Sequence, residues 1–222
     1  MSRARNYFAW QARIVRREIG QRVVEIGCGI GNFTEFLLDR MAVHAVDADT
    51  ECIERLVARY PGRKNLSVAV CDVQSERFSE LSAFMAESCI CLNVLEHLED
   101  DLDALKRMAS ILRPGGAIVL LVPAFPALYG PIDWNLGHYR RYTQASLVDL
   151  AAASGLRVTK MRYMNAVGLF GWWANSRVFR REAQSAVQIG IFDRCVVPWE
   201  SWIEERIEPP FGQSIFAILQ KP

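Results

Sequence analysis

Five short apolar runs recur along the chain: RVVEIGC, MAVHAVD, NLSVAVCD, SCICLN and GAIVLLVPA. All are rich in β-branched residues and close on turn formers, as strands do. Between them NFTEFLLDR, TECIERLVARY and DDLDALKRMASILRPGG place apolar residues three and four apart, the period of a helix facing a core. The last of these opens on acids and closes on Lys106, Arg107 and Pro-Gly-Gly, in accord with the helix dipole and a C-terminal stop. Strand–helix alternation of this kind predicts a doubly wound α/β fold, a mostly parallel sheet with helices on both faces. SIFAILQ, near the end, supplies a closing strand.

Two segments break the alternation. Residues 124–142 follow the fifth strand and are dense in turn formers and aromatics. Thr143 after them is the expected N-cap of the helix TQASLVDLAAAS. Residues 164–211 hold Trp172, Trp173, Trp199 and Trp202, show helix-like patches and no clear strand, and end in EPPFGQ. Ligands of such sheets bind beyond the carboxyl ends of the strands, the side from which both segments leave. They are read as a substrate loop and a helical lid inserted before the last strand of a single domain, residues 1–222.

Composition narrows the function. A formal net charge of +1 gives no field to gather nucleic acid. The six cysteines form no C-x-x-C pair and no metal-like spacing with the three histidines, so no metal site is expected. Cys89 and Cys91 share one face of a strand, where cysteine is a small buried residue. MSRARNYFAW has charge without an apolar core after it, and no apolar run reaches the ~20 residues of a spanning helix. The expected setting is cytoplasmic, with reduced thiols.

The sharpest motif is VVEIGCGIGNFT. A strand runs into Gly27, Gly29 and Gly31, and a helix is expected to begin at once. Glycines there permit a tight turn and close approach of a ligand to the backbone. A dinucleotide site would need G-x-G-x-x-G, whereas the spacing here is G-x-G-x-G with Glu25 two residues before it. E-x-G-x-G-x-G after a first strand resembles the S-adenosylmethionine (SAM) loop of class I methyltransferases, whose seven-stranded sheet ends in an antiparallel strand. That resemblance implies a cofactor site, free of metal, made by Glu25, Gly27, Cys28, Gly29 and Gly31. It also implies Asp47 and Ala48 at the ribose, Asp72 and Val73 at the adenine, Asn93 at the methionine end, and a helix within residues 1–20, Tyr7 included, folded over them. GHYRRYT and PFGQS are further similar to a small bacterial subgroup of these enzymes. A nicotinamide-dependent oxidoreductase and a non-catalytic SAM-binding module are the competing readings.

The loop GHYRRYT bears on the acceptor, a small or lipid-like molecule. Tyr129, Trp134, Tyr139, Arg140 and Arg141 are the candidate substrate contacts. In one reading an arginine fork grips a carboxylate or other anion, which needs no base, and that carboxylate is O-methylated. In the other, His138 or His97 takes a proton from a hydroxyl. One arginine is expected to face inward and the other to pair with an acid such as Asp133 or Asp149. The run VGLFGWW, flanked by Arg162, Arg177 and Arg180, reads either as lid core or as a peripheral membrane contact.

Overall fold

Val23 and Val24 are neighbours on β1 (Arg22–Ile26) and therefore point to opposite faces, yet both are wholly buried. Cover on both sides of the strand is required, and the computed structural model, which describes residues 4–175 and 185–222, provides it. Val24 joins a core with Ala104, Leu105 and Met108 of α3 (Asp101–Ser110) and Leu147 of α5 (Gln144–Ala153). Val23 joins a second core with Trp10 and Ile14 of α1 (Arg5–Val15).

Seven strands form one sheet in the order β3-β2-β1-β4-β5-β7-β6. β2 (Ala42–Asp47), β3 (Leu66–Val70), β4 (Ala86–Leu92) and β5 (Leu112–Pro123) run parallel with β1. β7 (Ser214–Gln220) lies antiparallel between β5 and β6 (Arg157–Met164). The chain builds outward from β1 to β3 and then crosses to β4 on the other side of β1. The crevice for a ligand is therefore expected at the carboxyl ends of β1 and β4.

Helix caps follow the sequence. Thr143 Oγ1 accepts the Ser146 N–H at 3.0 Å to start α5. Asp49 accepts the Glu51 N–H at 2.8 Å to start α2 (Thr50–Arg59), which leaves Asp47 free of that duty. One expectation fails: no α-helix follows the glycine loop. Residues Thr34–Leu37 form a 3₁₀ turn instead, with i→i+3 bonds such as Phe36 N–H to Phe33 O at 2.9 Å. Phe33, Thr34 and Phe36 are weak helix formers, and the Thr34 hydroxyl is drawn to Glu25 rather than to a cap.

Between the last two strands in sequence lie α6 (Ala166–Trp173), α7 (Ala186–Cys195) and α8 (Val197–Glu204), preceded by the short α4 (Pro131–Asn135) in the substrate loop. Of the four lid tryptophans only Trp172 is buried; Trp173, Trp199 and Trp202 are about half exposed. Arg177 and Arg180 lie outside the described residues. Among the described residues no helix is long and apolar enough to cross a membrane.

The lid is tied down by acids. Asp193 of α7 accepts the backbone N–H groups of Asn6 and Tyr7, capping α1. Glu200 and Glu204, one turn apart on α8, accept the N–H groups of Val167 and Ala166 at the start of α6. Burial and the Glu204 charge push the Glu200 carboxyl up to about 7, against the pull of the Val167 N–H. Its folded value lies above its ordinary 4.5, so the linked stability is present at low pH and is lost as pH rises through about 7. The thermal midpoint is expected to fall between about pH 5 and 8, and Glu200→Gln to flatten that slope by at most ~2 kcal/mol. Scanning calorimetry of both proteins across that range is the check, and parallel curves would exclude Glu200 as a source.

Candidate active site

Gly27, Gly29 and Gly31 all have positive φ, at 68°, 52° and 81°. The reasons differ. A Cβ on Gly27 would lie 2.4 Å from Val94 Cγ2, and one on Gly31 2.9 Å from Tyr60, so these two let β4's end and α2 pack closely. A Cβ on Gly29 would meet nothing within 4 Å; its missing side chain opens into free space. The Gly29 N–H instead donates to Asp47 Oδ2 at 2.8 Å, which fastens the loop to the end of β2.

A cavity of about 190 Å³ lies against this loop, lined by Glu25, Gly27, Cys28, Gly29 and Asn93 together with Phe8 and Gln11 of α1. Glu25 is buried, receives the Thr34 hydroxyl at 2.7 Å, and burial pushes its carboxyl up to about 8. Gln11 is 3% exposed, and its amide closes no hydrogen bond of good geometry, although the Tyr7 phenol lies near it. A buried amide on a cavity wall without a well-formed bond is available to a polar ligand. Tyr7 does not line the cavity; its ring packs edge-on against Trp10 at 5.9 Å, and burial raises its phenol. Phe8 and Gln11 take the place expected of it. They lie three apart on α1 and so share one helix face, but nothing in the sequence says that this face borders a cavity.

Asp47 and Asp72 stand beyond the ends of adjacent strands, outside the cavity wall. Asp47 Oδ1 accepts the Asp49 N–H at 3.0 Å and Asp72 Oδ1 the Gln74 N–H at 2.8 Å, leaving further lone pairs on each carboxylate. Ala48 is exposed beside Asp47, while Val73 is buried with its side chain in the core. Asn93 holds a left-handed φ of 54° at the end of β4, a conformation that asparagine tolerates better than most residues.

The arginine loop differs from expectation, because both arginines are paired. Arg141 is buried; its Nε donates to Asp133 Oδ1 at 2.8 Å, its Nη1 to the Ala124 carbonyl at 3.0 Å, and it stacks over Trp172 at 4.5 Å. Arg140 pairs with Asp101 at 2.8 Å and donates to the Glu99 carbonyl at 2.6 Å. Charged side chains short of water take internal partners, and Asp133 and Asp101 supply them. Tyr129 donates to the His138 carbonyl at 2.6 Å, while Trp134 and Tyr139 are exposed.

His97 and His138 meet edge to face, 4.6 Å between ring centroids. His138 Nδ1 contacts Asp133 Oδ1 at 3.0 Å. Burial and the neighbouring His138 hold His97 below its ordinary value, so it is neutral at pH 7. Beside them Glu96 is buried, and that burial pushes its carboxyl up to about 8.

The family model for a methyltransferase domain matches residues 2–161 of the chain. The chain belongs to the methyltransferase domain family. A probable SAM-dependent methyltransferase of Mycolicibacterium smegmatis is 26% identical over 195 residues, 85% of this methyltransferase and 70% of that protein. The ubiquinone biosynthesis O-methyltransferase of Xanthomonas campestris is 33% identical over 105 residues, 46% of this chain and only 42% of its own length. Among solved structures, the N-methyltransferase NodS of Bradyrhizobium japonicum in complex with S-adenosyl-L-homocysteine superposes with a TM-score of 0.60 at 17% identity, covering 96% of this chain and 84% of that one. The shared architecture is that of class I SAM-dependent methyltransferases.

Proposed function

We propose that this methyltransferase moves the methyl group of SAM to an oxygen of a small or lipid-like acceptor. The observation that carries the cofactor reading is the open face of Gly29 on the cavity that the buried Gln11 amide also lines, with Asp47 held at the loop's edge. A cavity of about 190 Å³ is too small for the whole cofactor. It suits the amino-acid end, against Glu25, Gly27, Cys28 and Asn93, while Asp47 with Ala48 takes the ribose hydroxyls and Asp72 with the Val73 backbone takes the adenine along the strand ends.

For the acceptor, geometry favours a hydroxyl over a carboxylate. An anion clamp at Arg140 or Arg141 would require breaking ion pairs already formed. The His97–His138 pair offers a neutral imidazole instead. In the reaction the acceptor oxygen attacks the sulfonium methyl in line, the C–S bond breaks, the hydroxyl proton passes to histidine, and S-adenosyl-L-homocysteine leaves.

The test is release of S-adenosyl-L-homocysteine over matched acceptors: carboxylates beside their amides, phenols, and lipid-chain alcohols. Turnover on hydroxyl compounds is expected. Turnover on acids alone would return the arginines to the acceptor, and tight SAM binding without turnover on any of them would favour the non-catalytic module.

A further inference from the structure

We propose that Glu96, His97 and His138 form a binding site for a divalent transition metal ion. Sequence spacing cannot show it, because His138 lies far from the other two in the chain and is brought to them by the substrate loop. One ligand atom from each of the three lies within 4.8 Å of the other two.

Three independent features point to a cation. Glu96 is 1% exposed, and its Oε2 has no hydrogen-bond partner, which leaves a buried oxygen open to a further ligand. His138 is held through Nδ1 by Asp133, which leaves Nε2 as the coordinating atom. A carboxylate behind the imidazole is the arrangement that orients histidine toward a metal. His97 is exposed, so an ion has a route in from solvent.

Two imidazoles and one carboxylate suit zinc, cobalt or ferrous iron rather than magnesium or calcium, which prefer all-oxygen shells. Ligands about 2.1 Å from a tetrahedral ion stand about 3.4 Å apart, so the three must draw in by roughly 1 Å when it binds. Three protein ligands leave a coordination position open. This deepens the acceptor reading above: an acceptor oxygen at that position would lose its proton to solvent at neutral pH under the pull of the ion rather than needing histidine as base. Metal binding itself does not depend on methyl transfer.

The experiment titrates zinc, and separately cobalt, into tag-free protein freed of metal, with SAM binding measured by calorimetry on the same sample. One zinc per chain is expected, with a visible cobalt absorption band that zinc abolishes. His97→Ala changes a surface residue, and His138→Gln keeps a donor toward Asp133, so both are expected to fold. Each should weaken zinc binding at least tenfold. Absence of zinc binding in the parent, or unchanged affinity in both variants, overturns the site. SAM binding without zinc binding would sink this inference alone, and zinc binding without SAM binding would sink the methyl-transfer reading alone.

Discussion

Replacing Asp133 with alanine is expected to destabilise the protein by about 3–5 kcal/mol, the cost of leaving a buried charge without its partner. The Asp133 side chain is fully buried and that of Arg141 is 1% exposed, so solvent cannot take over the lost contact. The same carboxylate also receives the Gly130 N–H at 3.0 Å and holds His138, so three groups of the substrate loop lose their common partner at once. Removing both charges is a different experiment. Asp133→Leu combined with Arg141→Met is expected to recover much of the loss, because the desolvation cost of the pair goes with it. Urea unfolding midpoints of the parent, single and double variants provide the measurement. A single-variant loss under about 1 kcal/mol would mean that Arg141 reaches water or another acid, and would reopen the case for an arginine at the acceptor.

Asp47→Ala is expected to weaken SAM binding by roughly 10²–10⁴-fold. Two hydrogen bonds from ribose hydroxyls to a carboxylate, at about 1.5–3 kcal/mol each, set that scale. The variant also releases the Gly29 and Asp49 N–H groups, so loop loosening contributes. Asp47→Asn separates the two effects: one amide oxygen can still accept from the loop, but the second ribose acceptor becomes a donor. An intermediate affinity for Asp47→Asn, with a smaller fall in unfolding midpoint than for Asp47→Ala, is the expected calorimetric result. A loss of less than threefold in Asp47→Ala would remove the ribose assignment.

Short apolar runs disclosed six strands, the closing strand among them, because strands covered on both faces are apolar without interruption. β6 was harder to see. A bulge between Val158 and Lys160 shifts the phase of its alternation, and as an edge strand it exposes Thr159 and Lys160 while Arg162 is buried against the Glu204 carbonyl. The glycine loop and the strand-end acids were legible because backbone geometry demands particular residue types at fixed offsets. Phe8 and Gln11 were not, since nothing local says which face of an amphipathic helix will border a cavity. Asp133, eight residues from Arg141, was among the acids expected to pair with the loop, whereas the partner of Arg140 depended on long-range packing: Asp101 was one acid among many near a helix start, and only the fold brings it to the loop. The Glu96–His97–His138 cluster was hidden for the same reason.

The cap that Asp193 places on α1 has a consequence for how the protein is made. The capped N–H groups and their carboxylate are separated by 186 and 187 residues in sequence. At about 5–20 residues per second, a ribosome needs on the order of ten seconds or more to reach Asp193 after releasing α1. For that interval the first helix has no partner at its start, and a helix of 11 residues is marginal alone in water. The glycine loop and its flanking strands, local in sequence, can assemble first. The roof over the cavity, carried by Phe8 and Gln11, is therefore the last part of the pocket to set during synthesis.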